Sequence, residues 1–220
     1  MDKNNISEEL NGIISQMLKP LKGLSFKCII EGLSGNIIIP FSPKDKKDMA
    51  LLEKLKNIAT TTGKEINKIT IKKKRPNEAG NAVEMFIKDA MIKEGFEPQT
   101  PSAKSGKKKA TGYPDIEFKD QFGRTNYLEC KTFNTDSELS SLRSFFVSPS
   151  EDFKVTQDAH HIMLAFELYV DKVENDFSVF KCKSWKVICL ANLICDVKYE
   201  FNSSNDRMYS KELVLAEGVL

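Results

Sequence analysis

GYPDIEFKDQFGRTNYLECKT, residues 112–132, reads as two short strands joined by a polar turn through Lys119, Asp120, Gln121, Phe122 and Gly123. Asp115 opens the first strand, and Glu129 and Lys131 close the second. Side chains alternate faces along a strand, so Glu129 and Lys131 project to one side and Leu128 and Cys130 to the other. Folding the hairpin brings Asp115 beside Glu129. Two carboxylates forced together repel, and such a pair persists when a cation or a proton lies between them. Carboxylates and the carbonyl of Cys130 are hard oxygen donors, which suit Mg2+.

Pro114-Asp115, thirteen intervening residues, then Glu129-Cys130-Lys131 resembles the PD-(D/E)XK nuclease motif, whose best-known members are type II restriction endonucleases. The resemblance covers residues from about Asn77 to Tyr169, with a weaker echo from Glu200 to Tyr209. It implies an α/β fold with a mixed central β-sheet flanked by helices, a restriction-endonuclease-like core. It also implies a metal held by Asp115, Glu129 and the Cys130 carbonyl, with Lys131 as the catalytic cation. The implied reaction is Mg2+-dependent hydrolysis of double-stranded DNA to leave 5′-phosphate ends, by a homodimer acting on a two-fold symmetric site. A structure-specific repair or recombination nuclease and a catalytically idle DNA-binding module are the alternatives.

Upstream of this stretch, the apolar spacing of Ala79, Val83, Phe86, Ile87, Ala90 and Met91 predicts a helix from Asn77 to Glu94, capped by Asn77 and followed by Gly95. Glu84 borders the apolar stripe. By the same resemblance it is a supplementary acid of the site. Between helix and hairpin, residues 98–112 lack periodicity and read as a mobile loop, with Lys104, Lys107, Lys108 and Lys109 placed to order on DNA. A second basic cluster spans Lys64, Lys68, Lys72, Lys73, Lys74 and Arg75.

After the hairpin, Ser140 to Val147 reads as a strand on which Arg143 is a candidate phosphate or guanine contact. His160 and His161 open an apolar strand, Ile162 to Val170. Being adjacent, they face opposite ways and make a poor metal pair. Val197 to Phe201 alternates as a strand and leads into Asn202, Asn205 and Arg207, residue types that read base edges.

The first 75 residues read as a scaffold or dimerisation layer preceding a nuclease core at 76–220. A helix over Ile6–Leu18, a β-hairpin from Leu24 to Phe41, a helix from Asp45 to about Ala59 and a strand near Ile66–Lys72 are expected there. Net charge is only +2 for 220 residues, so phosphate binding rests on local lysine clusters. Apolar runs fall short of the ~20 residues that span a bilayer. The five cysteines, scattered in apolar strings, read as buried free thiols of a cytoplasmic protein.

Overall fold

The computed structural model describes residues 3–19, 21–136, 138–140, 144–199 and 203–216. In chain order the elements are α1 (Lys3–Met17), β1 (Leu24–Ser25), α2 (Phe26–Ser34), α3 (Lys46–Ile69), β2 (Ile71–Lys73), α4 (Pro76–Lys93), β3 (Ile116–Lys119), β4 (Thr125–Phe133), β5 (His160–Glu174), β6 (Phe177–Cys189), β7 (Ile194–Cys195) and α5 (Asn205–Met208). The chain divides into two compact units, one of residues 25–194 and the other of residues 1–24 with 195–220.

The larger unit holds a five-stranded mixed sheet in the order β2-β6-β5-β4-β3. β4 and β5 run parallel, and the other neighbours are antiparallel. One face of this sheet is the main core. Leu128 of β4 and Ile162, Leu164 and Phe166 of β5 pack with Leu51, Leu55 and Ile58 of α3 and Val83, Ile87 and Met91 of α4, all of them 0–1% exposed. Burying each such side chain contributes about 1.5–3 kcal/mol. Both long helices therefore share a face. On the other face lies Phe26 of α2, with its ring 6.0 Å from His161 and 5.1 Å from Tyr113.

Residues 24–41 depart from the expected hairpin. Ser25 accepts from the Cys28 amide at 3.3 Å, and Gly35, at φ 73°, closes the segment as a left-handed cap donating to the Glu31 carbonyl. Phe26 and Ile30, one helical turn apart, are buried. Capping and the i,i+4 pair thus outweigh the β-branched run. The intended partner strand shrinks to a single bridge between Ile38 and Ala159.

Helix α3 starts where expected, with Asp45 accepting from the Lys47 and Asp48 amides. It runs ten residues further than Ala59, because Thr62, Gly63 and Ile66 continue the buried stripe. Gly63 is where the Cys182 sulfur approaches closely, leaving only 3.3 Å for an added Cβ. Helix α4 begins at Pro76 with Arg75 at the cap position, one residue ahead of the expected Asn77, since proline's missing N–H costs nothing in the first turn.

Residues 98–112 are not a free loop. Gln99 pairs with Glu117 in both directions at 2.8 and 2.9 Å, the Lys104 amide donates to the Phe153 carbonyl at 2.9 Å, and the Ser105 amide donates to Asp152 at 2.8 Å. Pro101 and Ala103 are buried beneath these contacts. Residues 144–150 carry no strand, and neither do residues 196–199. All five cysteines are free thiols, but Cys28 and Cys189 are exposed and only Cys182 is buried. Among the described residues no helix is long and apolar enough to cross a membrane.

Candidate active site

The turn between β3 and β4 is built by Asp120. Its Oδ1 accepts from the Phe122 and Arg124 amides, both at 2.9 Å, and Gly123 takes the positive φ of 76°. Four residue pairs follow, ending at Ile116 opposite Leu128. One step further the register sets Asp115 beside Glu129, and the β3 ladder stops. The Cys130 amide, past the end of that ladder, donates instead to Asp115 Oδ2 at 2.8 Å.

Glu129 is 5% exposed. Its Oε1 pairs with Lys131 Nζ at 2.8 Å, and its Oε2 is buried without a hydrogen-bond partner. Burial, with the nearby Asp115 charge, raises the Glu129 carboxyl to about 7, against the pull of Lys131 and Lys154. Asp115 is raised too, by burial first and by Glu84 across from it, while the Cys130 amide and the two lysines oppose the rise. A buried and a half-buried carboxylate set side by side, the buried one with an orphaned oxygen, fit a divalent cation. Among the described residues no group of three or more His, Cys, Asp and Glu side chains converges in a ligating cluster. The donors here would be two side chains and the Cys130 carbonyl.

Glu84 faces this centre from α4. Its charge acts on Asp115 and on Cys130, and it pairs with Lys88 at 2.6 Å. Gly80, one turn earlier, lets α4 come close to β4: an added Cβ would lie 3.2 Å from Thr132 Oγ1.

Sequence patterns missed three partners of the site. Lys154 is 4% exposed and donates to the carbonyls of Pro114 and, at 3.3 Å, Lys109. Tyr113 contacts His161 Nδ1 through its hydroxyl at 2.5 Å, and burial with the two site carboxylates drives its phenol well above the ordinary range. His161 itself is held neutral by burial, near 3. Only the position of Tyr113, two residues ahead of Asp115, could have drawn attention to any of them. His160 turns away to the Ile39 carbonyl at 2.9 Å and to Asp48 at 3.2 Å.

The expected DNA-contacting residues fall in both units. Lys104, Lys107 and Lys108 are exposed, whereas Lys109 is half-buried and paired with Asp152 at 2.7 Å. Asn205 and Arg207 lie exposed on α5, in the smaller unit. Arg143 and Asn202 lie outside the described residues.

The type II restriction enzyme MjaV family model matches residues 20–212. The chain belongs to this family. Its relatives include the type II restriction enzyme MjaV of Methanocaldococcus jannaschii, 38% identical over an alignment covering 99% of this chain and 98% of the relative. No solved structure matches. Membership in a restriction enzyme family sets aside both the repair nuclease and the idle binding module, and it extends the family likeness over the first 75 residues as well, where the motif alone gave none.

Proposed function

We propose that this chain cuts double-stranded DNA at a specific sequence through Asp115, Glu129 and Lys131, with a divalent cation, Mg2+ by the oxygen character of the donors, leaving 5′-phosphate ends. The observation that carries the reading is the Asp115–Glu129 pair, in which the buried Glu129 keeps one oxygen unpartnered beside Lys131. When bound, the metal supplies a Lewis acid that polarises the phosphate and acidifies a water. Asp115, fixed by the Cys130 amide, anchors the site. Glu129 holds Lys131 by its Oε1 and offers Oε2. The Lys131 ammonium, about one-third exposed, reaches from the buried carboxylate toward solvent, where it orients the attacking water and offsets the charge that grows on the phosphate. Glu84 supplements the acids from α4. Two copies matching a two-fold DNA site complete the reading, with phosphates gripped by Lys104, Lys107 and Lys108 and bases met by Asn205 and Arg207.

Digestion of long unmethylated duplex DNA with Mg2+, with EDTA and with Lys131→Ala tests this. Discrete Mg2+-dependent fragments bearing 5′-phosphates, absent for the variant, are expected. A smear, or cutting that survives Lys131→Ala, overturns the assignment.

A further inference from the structure

A lysine buried to 4% exposure is costly unless its charge is compensated, and Lys154 is compensated in an informative place. Its ammonium donates to the carbonyl of Pro114, the residue immediately before Asp115, and to that of Lys109 at 3.3 Å. It therefore ties both ends of the segment leading into β3 to the segment leading into β5. Burial lowers the proton affinity of its ammonium, and the charges of Asp115, Glu129 and Glu84 offset part of that cost. Neighbouring contacts pin the same pair of segments. Asp152 takes the Ser105 amide at 2.8 Å and Lys109 Nζ at 2.7 Å, and Lys104 donates its amide to Phe153.

Asp115 needs such help. The β3 ladder ends at Ile116, so nothing in the sheet holds the Asp115 backbone in register with Glu129. Its visible restraint is the Cys130 amide on Oδ2. We propose that Lys154 is a positioning residue for the cleavage reaction: by gripping the Pro114 carbonyl inside the fold, it sets the Asp115 carboxylate against the Cys130 amide and Glu129. The inference rests on the reading of Asp115 and Glu129 as the catalytic acids. Lys154 is too deeply buried to meet DNA, which separates its role from that of Lys131.

The test uses full-length protein without metal and then with Mg2+, comparing wild type with Lys154→Met. The metal-free readout is hydrogen exchange of the Cys130 amide, followed against core amides such as Leu164. Lys154→Met is expected to speed Cys130 exchange at least tenfold with Leu164 unchanged. It is also expected to slow single-turnover cutting by about 100-fold, the scale of an ångström-sized misplacement, with DNA affinity within twofold. Unchanged Cys130 exchange overturns the proposal. So does equal acceleration at Leu164, which marks a purely stabilising lysine, or a parallel loss of DNA affinity, which marks a DNA contact. If Lys154→Met does not fold, Lys154→Gln, which keeps an N–H donor for the Pro114 carbonyl, is measured on the same scale: Cys130 exchange and cutting are expected to stay together near the wild-type rates, and a change in either one without the other overturns the proposal. Wild-type protein that cuts no DNA refutes the catalytic reading, while Cys130 exchange still reports on the grip of Lys154.

Discussion

Replacing Glu129 by glutamine should make the metal-free protein more stable at alkaline pH while abolishing cutting. Glu129 sits at about 7 instead of its ordinary 4.5, chiefly because burial disfavours its charge and Asp115 repels it. A folded-state value above the unfolded one means that the native protein prefers the protonated form. The associated stability is full below about 4.5 and is lost as pH rises through about 7. At 1.36 kcal/mol for each factor of ten in proton affinity, that loss amounts to about 3 kcal/mol by pH 8. Glutamine is neutral and nearly isosteric, so it escapes the penalty. Urea unfolding of wild type and Glu129→Gln at pH 5 and pH 8, without divalent ions, measures it. The variant should gain about 2.5 kcal/mol relative to wild type between the two conditions, or about 5–10 °C in melting temperature for a chain of this size. A gain that is absent, or the same at both pH values, refutes the claim that ionised Glu129 is strained in the apo fold. In a pH-stat at pH 6.5, Mg2+ binding at Glu129 should moreover release about three-quarters of a proton per chain, since a carboxylate must be ionised to bind.

Three further outcomes follow from other parts of the molecule. Arg124→Ala removes the partner of Asp48 and Asp120, both buried and both 2.7 Å from the guanidinium. It should cost about 3–5 kcal/mol in urea unfolding, the range for stranding a buried charge, and a cost below 1 kcal/mol would show the network to be dispensable. Lys107→Ala with Lys108→Ala should weaken DNA binding without sequence preference and flatten the log–log salt dependence by about 2, one phosphate contact each; an unchanged slope measured by fluorescence anisotropy removes these lysines from the interface. Gly35→Val places a β-branched residue at φ 73° on the cap of α2 and should lower the melting temperature by several degrees, the strain being on the order of 1–3 kcal/mol.

Much of the site is local, and so it was legible in the chain. Strand alternation alone puts Glu129 and Lys131 on one side of β4 and Leu128 and Cys130 on the other, and a turn-forming Asp120 with Gly123 determines which residues of the two strands oppose. The apolar stripe of α4 likewise follows from a 3.6-residue period, and with it the placing of Glu84 at the stripe's border. Residues 26–34 could not be read this way. A run of Cys28, Ile29 and Ile30 favours a strand locally, and the helix depends on its Ser25 and Gly35 caps together with Phe26 finding aromatic partners distant in sequence. The same limit applied to residues 98–112, whose glycine, serine and lysine composition predicts a free loop but whose order comes from Asp152 and Phe153, some fifty residues away.

By itself, then, the sequence determined the hairpin, its acids and its lysine, because their relation depends on backbone periodicity and a short turn. Only the tertiary structure decided that Lys154 lies under Asp115 and that Glu129 is sealed from water beside it. Burial and long-range contact set proton affinities and hold backbone beyond the end of a strand ladder, and neither is written in any spacing along the chain.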